Sequence, residues 1–95
     1  MRNHSNKSLS QSVLLLTMEF GNQVLIPLEE IAERLLGLSV RTAQRKAGSH
    51  ELPFPVMRLM DSQKSPYLVH INSLAEYIEK KANSAFDDWS HNQAG

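Results

Sequence analysis

Seven residues punctuate the middle of this chain and leave little room for long elements. Gly21, Pro27, Gly37, Gly48, Pro53, Pro55 and Pro66 all fall between positions 21 and 66. Glycine opens left-handed backbone conformations, and proline removes a donor N–H, so each interrupts a helix or a strand ladder. The chain is thus cut into short pieces whose ends are set before packing is considered.

The pieces read as follows. Residues 1–8, MRNHSNKS, are polar and expected as a disordered tail. From Leu9 the pattern is helical: Leu9, Val13, Leu16 and Phe20 recur at helical spacing, with Leu14 and Met18 widening the stripe, and Gly21-Asn22 closing it. Gln23–Ile26 is a short β-branched run that Pro27 ends, and that proline suits the first turn of the next helix. In PLEEIAERLLG, Leu28, Ile31, Ala32 and Leu35 share a face, the glutamates sit at the positive end of the helix, and Gly37 is a natural stop. Ser39 is positioned to cap a third helix with a narrow face of Val40, Ala43 and Ala47 and a stop at Gly48.

Beyond Gly48 the pattern becomes extended. Two runs, Phe54–Met60 and Tyr67–Ile71, flank the polar DSQKSP and predict a hairpin; Pro53 and Pro55 suit an edge strand. Ser73 and Glu76 form a capping-box pattern for a last helix, whose core face is Leu74, Tyr77 and Ile78. Residues 83–95 lose the pattern and are expected as a tail, partly docked or disordered. The order α-β-α-α-β-β-α is mainly helical with a small β-hairpin, the outline of a winged helix-turn-helix over residues 9–82. One detail departs from the tightest form of that motif, in which the small residue precedes the turn glycine by four. Here Ala32 precedes Gly37 by five, so the turn is expected to be one residue longer.

Ninety-five residues suffice for one domain with a modest core. There is no cysteine, which excludes disulfides and thiolate metal sites and suits a reducing cytoplasm. No apolar run is long enough for a membrane span or a signal-peptide core, so no membrane partner and a cytoplasmic location are expected. The four histidines show no metal-ligand spacing, and no nucleophile motif or phosphate-cradling glycine loop occurs. A non-enzymatic protein without cofactor or metal is expected.

Charge is informative through its distribution. Formal net charge is zero, yet residues 38–64 carry five cations against two anions, leaving the rest of the chain equally negative. The third helix presents Arg41, Thr42, Gln44, Arg45 and Lys46, and the hairpin presents Arg58, Ser62, Gln63 and Lys64. Long donors suit phosphates, and Arg, Gln and Thr also fit base edges in the major groove. A charged helix by itself is equally a solvated face; the adjoining polar hairpin favours double-stranded DNA as the partner. On this reading helix 39–47 lies in the major groove and the wing, 54–71, on the backbone or minor groove. Gln44 and Arg45 are the base-reading candidates, and Arg41, Lys46, Arg58 and Lys64 the phosphate contacts. Tyr77, Phe86 and Trp89 fit either a homodimer contact or completion of a small core.

Three stretches carry a family resemblance: LLLTMEFGNQVLIPLEEIAE, LPFPVMRLMDSQKS and VHINSLAEYIEKK. From Val13 to about Lys81 the chain resembles the pyocin activator protein (PrtN) family of phage-derived transcriptional activators, and more loosely excisionase and AlpA-type regulators with a wing. The resemblance implies DNA binding upstream of bacteriocin or prophage genes and activation of their transcription; RNA polymerase is a candidate further partner, with direct contact left open by the sequence. It also implies a recognition helix at Ser39–Ala47, a wing centred on Ser62–Lys64, and Arg58 facing the DNA backbone. RLLGLSVRTAQRKAGSHE matches the family pattern little, which separates binding mode from sequence preference. Two other roles fit the same residues: an excisionase-like factor that bends DNA, and a protein-binding adaptor or antirepressor using Phe86, Trp89 and the acidic helix.

Overall fold

The computed structural model describes residues 3–94. In chain order it contains α1 (Asn3–Glu19), β1 (Leu25–Pro27), α2 (Leu28–Ile31) continued by a π-helical turn (Ala32–Leu36), α3 (Val40–Gly48), β2 (Leu68–His70) and α4 (Ile71–Ala94).

β1 and β2 pair antiparallel, with Leu25 opposite His70, Ile26 opposite Val69 and Pro27 opposite Leu68. The ladder continues into the flanking helices: the N–H of Leu28 donates to the Tyr67 carbonyl (2.9 Å), and that of Ile71 to the Val24 carbonyl (2.9 Å). Two of the N–H groups that a helix start leaves without an intrahelical partner are thereby satisfied by the sheet. Ile26 and Val69 sit at the centre of the core with no exposed surface. Around them pack Leu16 from α1 and Phe20 just past its end, Leu28, Ile31 and Ala32, Ala43 and Ala47 from α3, Phe54, and Ile71, Leu74 and Ala75 from α4. Fully burying a side chain such as Ile26, Ile31 or Leu74 contributes about 1.5–3 kcal/mol, so this small cluster dominates the stability.

The expected hairpin is present in reduced form. Of the run Phe54–Met60, only Met57 pairs with Leu68, through two backbone hydrogen bonds of 2.9 and 2.8 Å. β2 spends most of its pairing on β1 instead, because that side buries Val69 in the core. Phe54 is buried and meets Tyr77 edge to face, with ring centroids 5.5 Å apart, so the Pro53–Pro55 segment is pinned by packing rather than by a ladder.

The helix-turn-helix absorbs its extra residue in a defined way. After one α-helical turn the chain widens at Ala32–Leu36, Gly37 takes φ +67°, and the Leu38 N–H reaches back to the Ala32 carbonyl at 3.1 Å. A π turn holds one residue more than an α turn, which accounts for the five-residue spacing from Ala32 to Gly37. Ser39 then caps α3 by accepting the Thr42 N–H at 3.1 Å. At the earlier turn, Gly21 and Asn22 have φ of +81° and +65°, as the turn chemistry anticipates.

The helix ends and parts of two helix faces differ from expectation; Leu35, expected on the core face of Leu28, Ile31 and Ala32, lies in the π turn and is 48% exposed. α1 already begins at Asn3, inside the segment expected as a tail, and α4 runs unbroken to Ala94 through the segment expected to lose pattern. Leu14 and Met18 are not part of the buried stripe; they are 60% and 73% exposed, because they lie across the helix from Leu9, Val13, Leu16 and Phe20. The start of α4 also lies earlier than Ser73. His70 supplies the cap, its Nδ1 accepting the Asn72 N–H at 3.0 Å, since the ladder delivers Ile71 straight into the core. Among the described residues no helix is long and apolar enough to cross a membrane.

Ser39→Ala removes the one side-chain cap of α3 and is expected to lower unfolding free energy by about 1 kcal/mol, measurable by urea denaturation. Loss of the cap should leave the β1–β2 core intact, so the denaturant slope should be unchanged.

Candidate nucleic-acid interface

α3 and the loop closed by the Met57–Leu68 pair bound a groove of about 590 Å³. Gln44 and Arg45 reach it from α3, Arg58, Gln63 and Lys64 from the wing, and Leu28, Glu29 and Tyr67 line its base. α3 positions its contribution by burying Ala43 and Ala47, which turns Gln44 and Arg45 outward. Two small alanines let this helix sit close to α2 while leaving most of its circumference in water.

The wing is compact although it lacks a ladder. The Lys64 N–H donates to the Ser62 hydroxyl (3.1 Å) and the Ser65 N–H to the Ser62 carbonyl (3.0 Å). A longer bond joins the Met60 N–H to the Ser65 hydroxyl (3.4 Å), and the Arg58 guanidinium donates to the Ser62 carbonyl (3.4 Å). These contacts set the direction of the cations without extending the strands.

Tyr67 connects the two halves of the groove. Arg58 lies over its ring at 4.8 Å from the centroid, a separation at which a guanidinium is attracted to the ring face. At its far end the hydroxyl lies against Gly48, where an added Cβ would sit 3.4 Å from it. One side chain therefore supports the wing arginine and abuts the end of α3.

The sequence candidates divide by position. Gln44, Arg45, Arg58, Gln63 and Lys64 converge on the groove. Arg41 is exposed on α3 but does not line it. Thr42 is part of the cap, since its N–H donates to Ser39 and its hydroxyl accepts from the Ser39 hydroxyl at 3.0 Å. Lys46 is turned toward Glu51 at 3.8 Å, outside the groove. A hydrogen bond from Ser49 (2.7 Å), assisted by the charges of Lys46 and Arg45 against some desolvation, holds the Glu51 carboxyl below its usual pKa. Ser62 serves the turn rather than the groove wall.

Two groove residues escaped the sequence reading. Tyr67 carries a signal in hindsight: an aromatic immediately after Pro66, at the start of a strand run. Glu29 reads as an ordinary first-turn acid, and nothing local shows that α2 turns it toward cations on α3 and the wing. Among the described residues no group of three or more histidine, aspartate or glutamate side chains is placed to hold a metal ion.

Tyr67→Leu should keep the apolar packing and release Arg58. The expected result is a folded protein whose Arg58 Nε–H shows faster picosecond–nanosecond motion by NMR relaxation, with core amides unchanged.

No curated protein and no solved structure gave a significant match. The family described as pyocin activator protein PrtN matches residues 12–85, from within α1, through the helix-turn-helix and wing, into α4. That span covers most of the chain and every element bordering the groove. The protein therefore belongs to the pyocin activator protein PrtN family, a membership that points to a phage-derived regulator of pyocin genes.

Proposed function

We propose that the protein is a sequence-specific DNA-binding transcriptional activator of bacteriocin or prophage genes, acting through a winged helix-turn-helix. The observation that carries this reading is the shared groove. Gln44 and Arg45 on α3 and Arg58, Gln63 and Lys64 on the wing border one concave surface, although none of residues 46–57 between Arg45 and Arg58 lines it.

The division of labour follows from side-chain chemistry. Gln44 and Arg45 can make paired hydrogen bonds to adenine and guanine edges in the major groove. Arg58 and Lys64, with Arg41 and Lys46 at the margins, neutralise phosphates and fix register. Tyr67 orders Arg58 in advance, which lowers the entropy lost when it meets a phosphate. Glu29 repels an incoming backbone, so it favours insertion of α3 over indiscriminate contact along the duplex. The partners are double-stranded DNA and, for activation, RNA polymerase; the protein is cytoplasmic, uses no cofactor and catalyses no reaction.

Footprinting of the purified protein on genomic fragments from upstream of bacteriocin genes tests the reading. With roughly four phosphates neutralised, log K should fall against log salt with a slope of about −3 to −4. Arg58→Ala and Lys64→Ala should each weaken all sequences alike and flatten the slope by about 1. Arg45→Ala should cost about 1–3 kcal/mol on the cognate site and relax preference at one position. A complex insensitive to salt, or none with any fragment, contradicts the proposal.

One observation favours a second reading, that of an excisionase-like bending factor. Leu59 and Met60 on the wing are 66% and 68% exposed beside Arg58. Apolar wedges next to cations are the means by which minor-groove proteins open base steps and kink the duplex. Circularly permuted fragments separate the two: a bending factor gives position-dependent gel mobility that Leu59→Ser with Met60→Ser abolishes, and a simple activator gives uniform mobility.

A further inference from the structure

α4 carries a heptad pattern whose second half stands exposed among the described residues. Ala75, Ile78, Ala82, Ala85 and Trp89 recur at spacings of three and four, with Phe86 beside them. Ala75 is buried in the core and Ile78 packs against it. Ala82 and Ala85 are exposed, Phe86 and Trp89 are 62% and 58% exposed, and the two rings lean on each other with centroids 6.0 Å apart. The apolar seam thus continues along the helix past the point where the domain stops burying it.

The charges on one flank of that seam are self-complementary, whereas on the other flank Glu79 is bonded to the Ser12 hydroxyl. Lys81 and Asp88 lie seven residues apart on one flank, each one position before a seam residue. Two helix turns separate them by about 10 Å, so they do not pair within their own helix. When two copies of this helix meet antiparallel, the same flank of each faces the other, and Lys81 of one copy comes opposite the partner's Asp88, twice by symmetry. A parallel pair sets Lys81 against the partner's Phe86 and gains no charge pair. The same register lays Ala82 against the partner's Ala85 at the crossing and Trp89 over the partner's Ile78, so small residues meet where the helices are closest and the large ring fills the ends.

We propose that the carboxyl-terminal half of α4 is a self-association surface that pairs antiparallel with a second copy of this chain, around a two-fold axis close to Ser84. The interface is isologous, as closed dimers require. It is also short, below the size of a standard stable interface, so association is in the micromolar range and strengthened when another ligand holds two copies together.

Sedimentation analysis of the full chain over a micromolar concentration series tests this, with DNA absent so that the result is independent of the functional reading. A reversible monomer–dimer equilibrium is expected, accompanied by a blue shift of the Trp89 emission, which is specific because the chain has one tryptophan. Lys81→Asp and Asp88→Lys should each weaken dimerisation by about tenfold or more, since each brings like charges together twice. Mixing the two variants in equal amounts should restore dimers, as heterodimers with both pairs in place, and circular dichroism should show both variants folded. A chain that stays monomeric throughout overturns the proposal. So does a dimer indifferent to Lys81→Asp, which would place association on another face such as that of Leu14 and Met18.

Discussion

The structure depends on a ladder of three residue pairs. β1 and β2 come from opposite ends of the domain, and their pairing places Ile26 against Val69 at the centre of the core. The same ladder receives the first N–H groups of α2 and α4, so it sets where both helices begin and in which direction they leave the sheet. The wing follows from it as well, because Leu68 pairs with Pro27 on one side and Met57 on the other. A strand too short to be stable alone persists because both of its sides are occupied and its middle residue is buried.

The second constraint is the π turn. Five residues from Ala32 to Gly37 do not fit an α-helical end, and widening the turn keeps Ala32 buried while Gly37 assumes the left-handed conformation. This sets the entry of α3 and thereby which of its sides faces the wing. π-helical turns are rare and occur frequently at functional sites. Here the consequence is concrete: Ala43 and Ala47 turn inward, and Gln44 and Arg45 turn toward the groove.

Much of this was legible locally. The glycine and proline positions, the Ser39 cap, the Leu9–Phe20 stripe and the alanine face of α3 depend on neighbours within about one or two helix turns, and each is visible in the chain. The family resemblance drew on the same stretches and agrees with the match over residues 12–85. The departures occur where distant segments compete. The run Phe54–Met60 has strand character, yet Phe54 finds a better place against Tyr77 than in a ladder. His70 replaces Ser73 as the cap because the sheet delivers Ile71 to the core first. Leu14 and Met18 are apolar but lie on the wrong side of α1 to be buried.

The basic run Leu38–Lys64 illustrates the same division. Its cations and their grouping into a helix and a wing follow from residue order and helical spacing alone, because those are properties of short segments. Which cations converge could not be read in that way. The tertiary structure brings Arg45, Arg58 and Lys64 to one groove, places Tyr67 beneath Arg58, turns Lys46 aside to Glu51, and takes Thr42 into the cap. Sequence determined the elements and their charge. The β1–β2 pairing and the π turn decided which faces meet, because relative orientation arises only when segments far apart in the chain bury the same core.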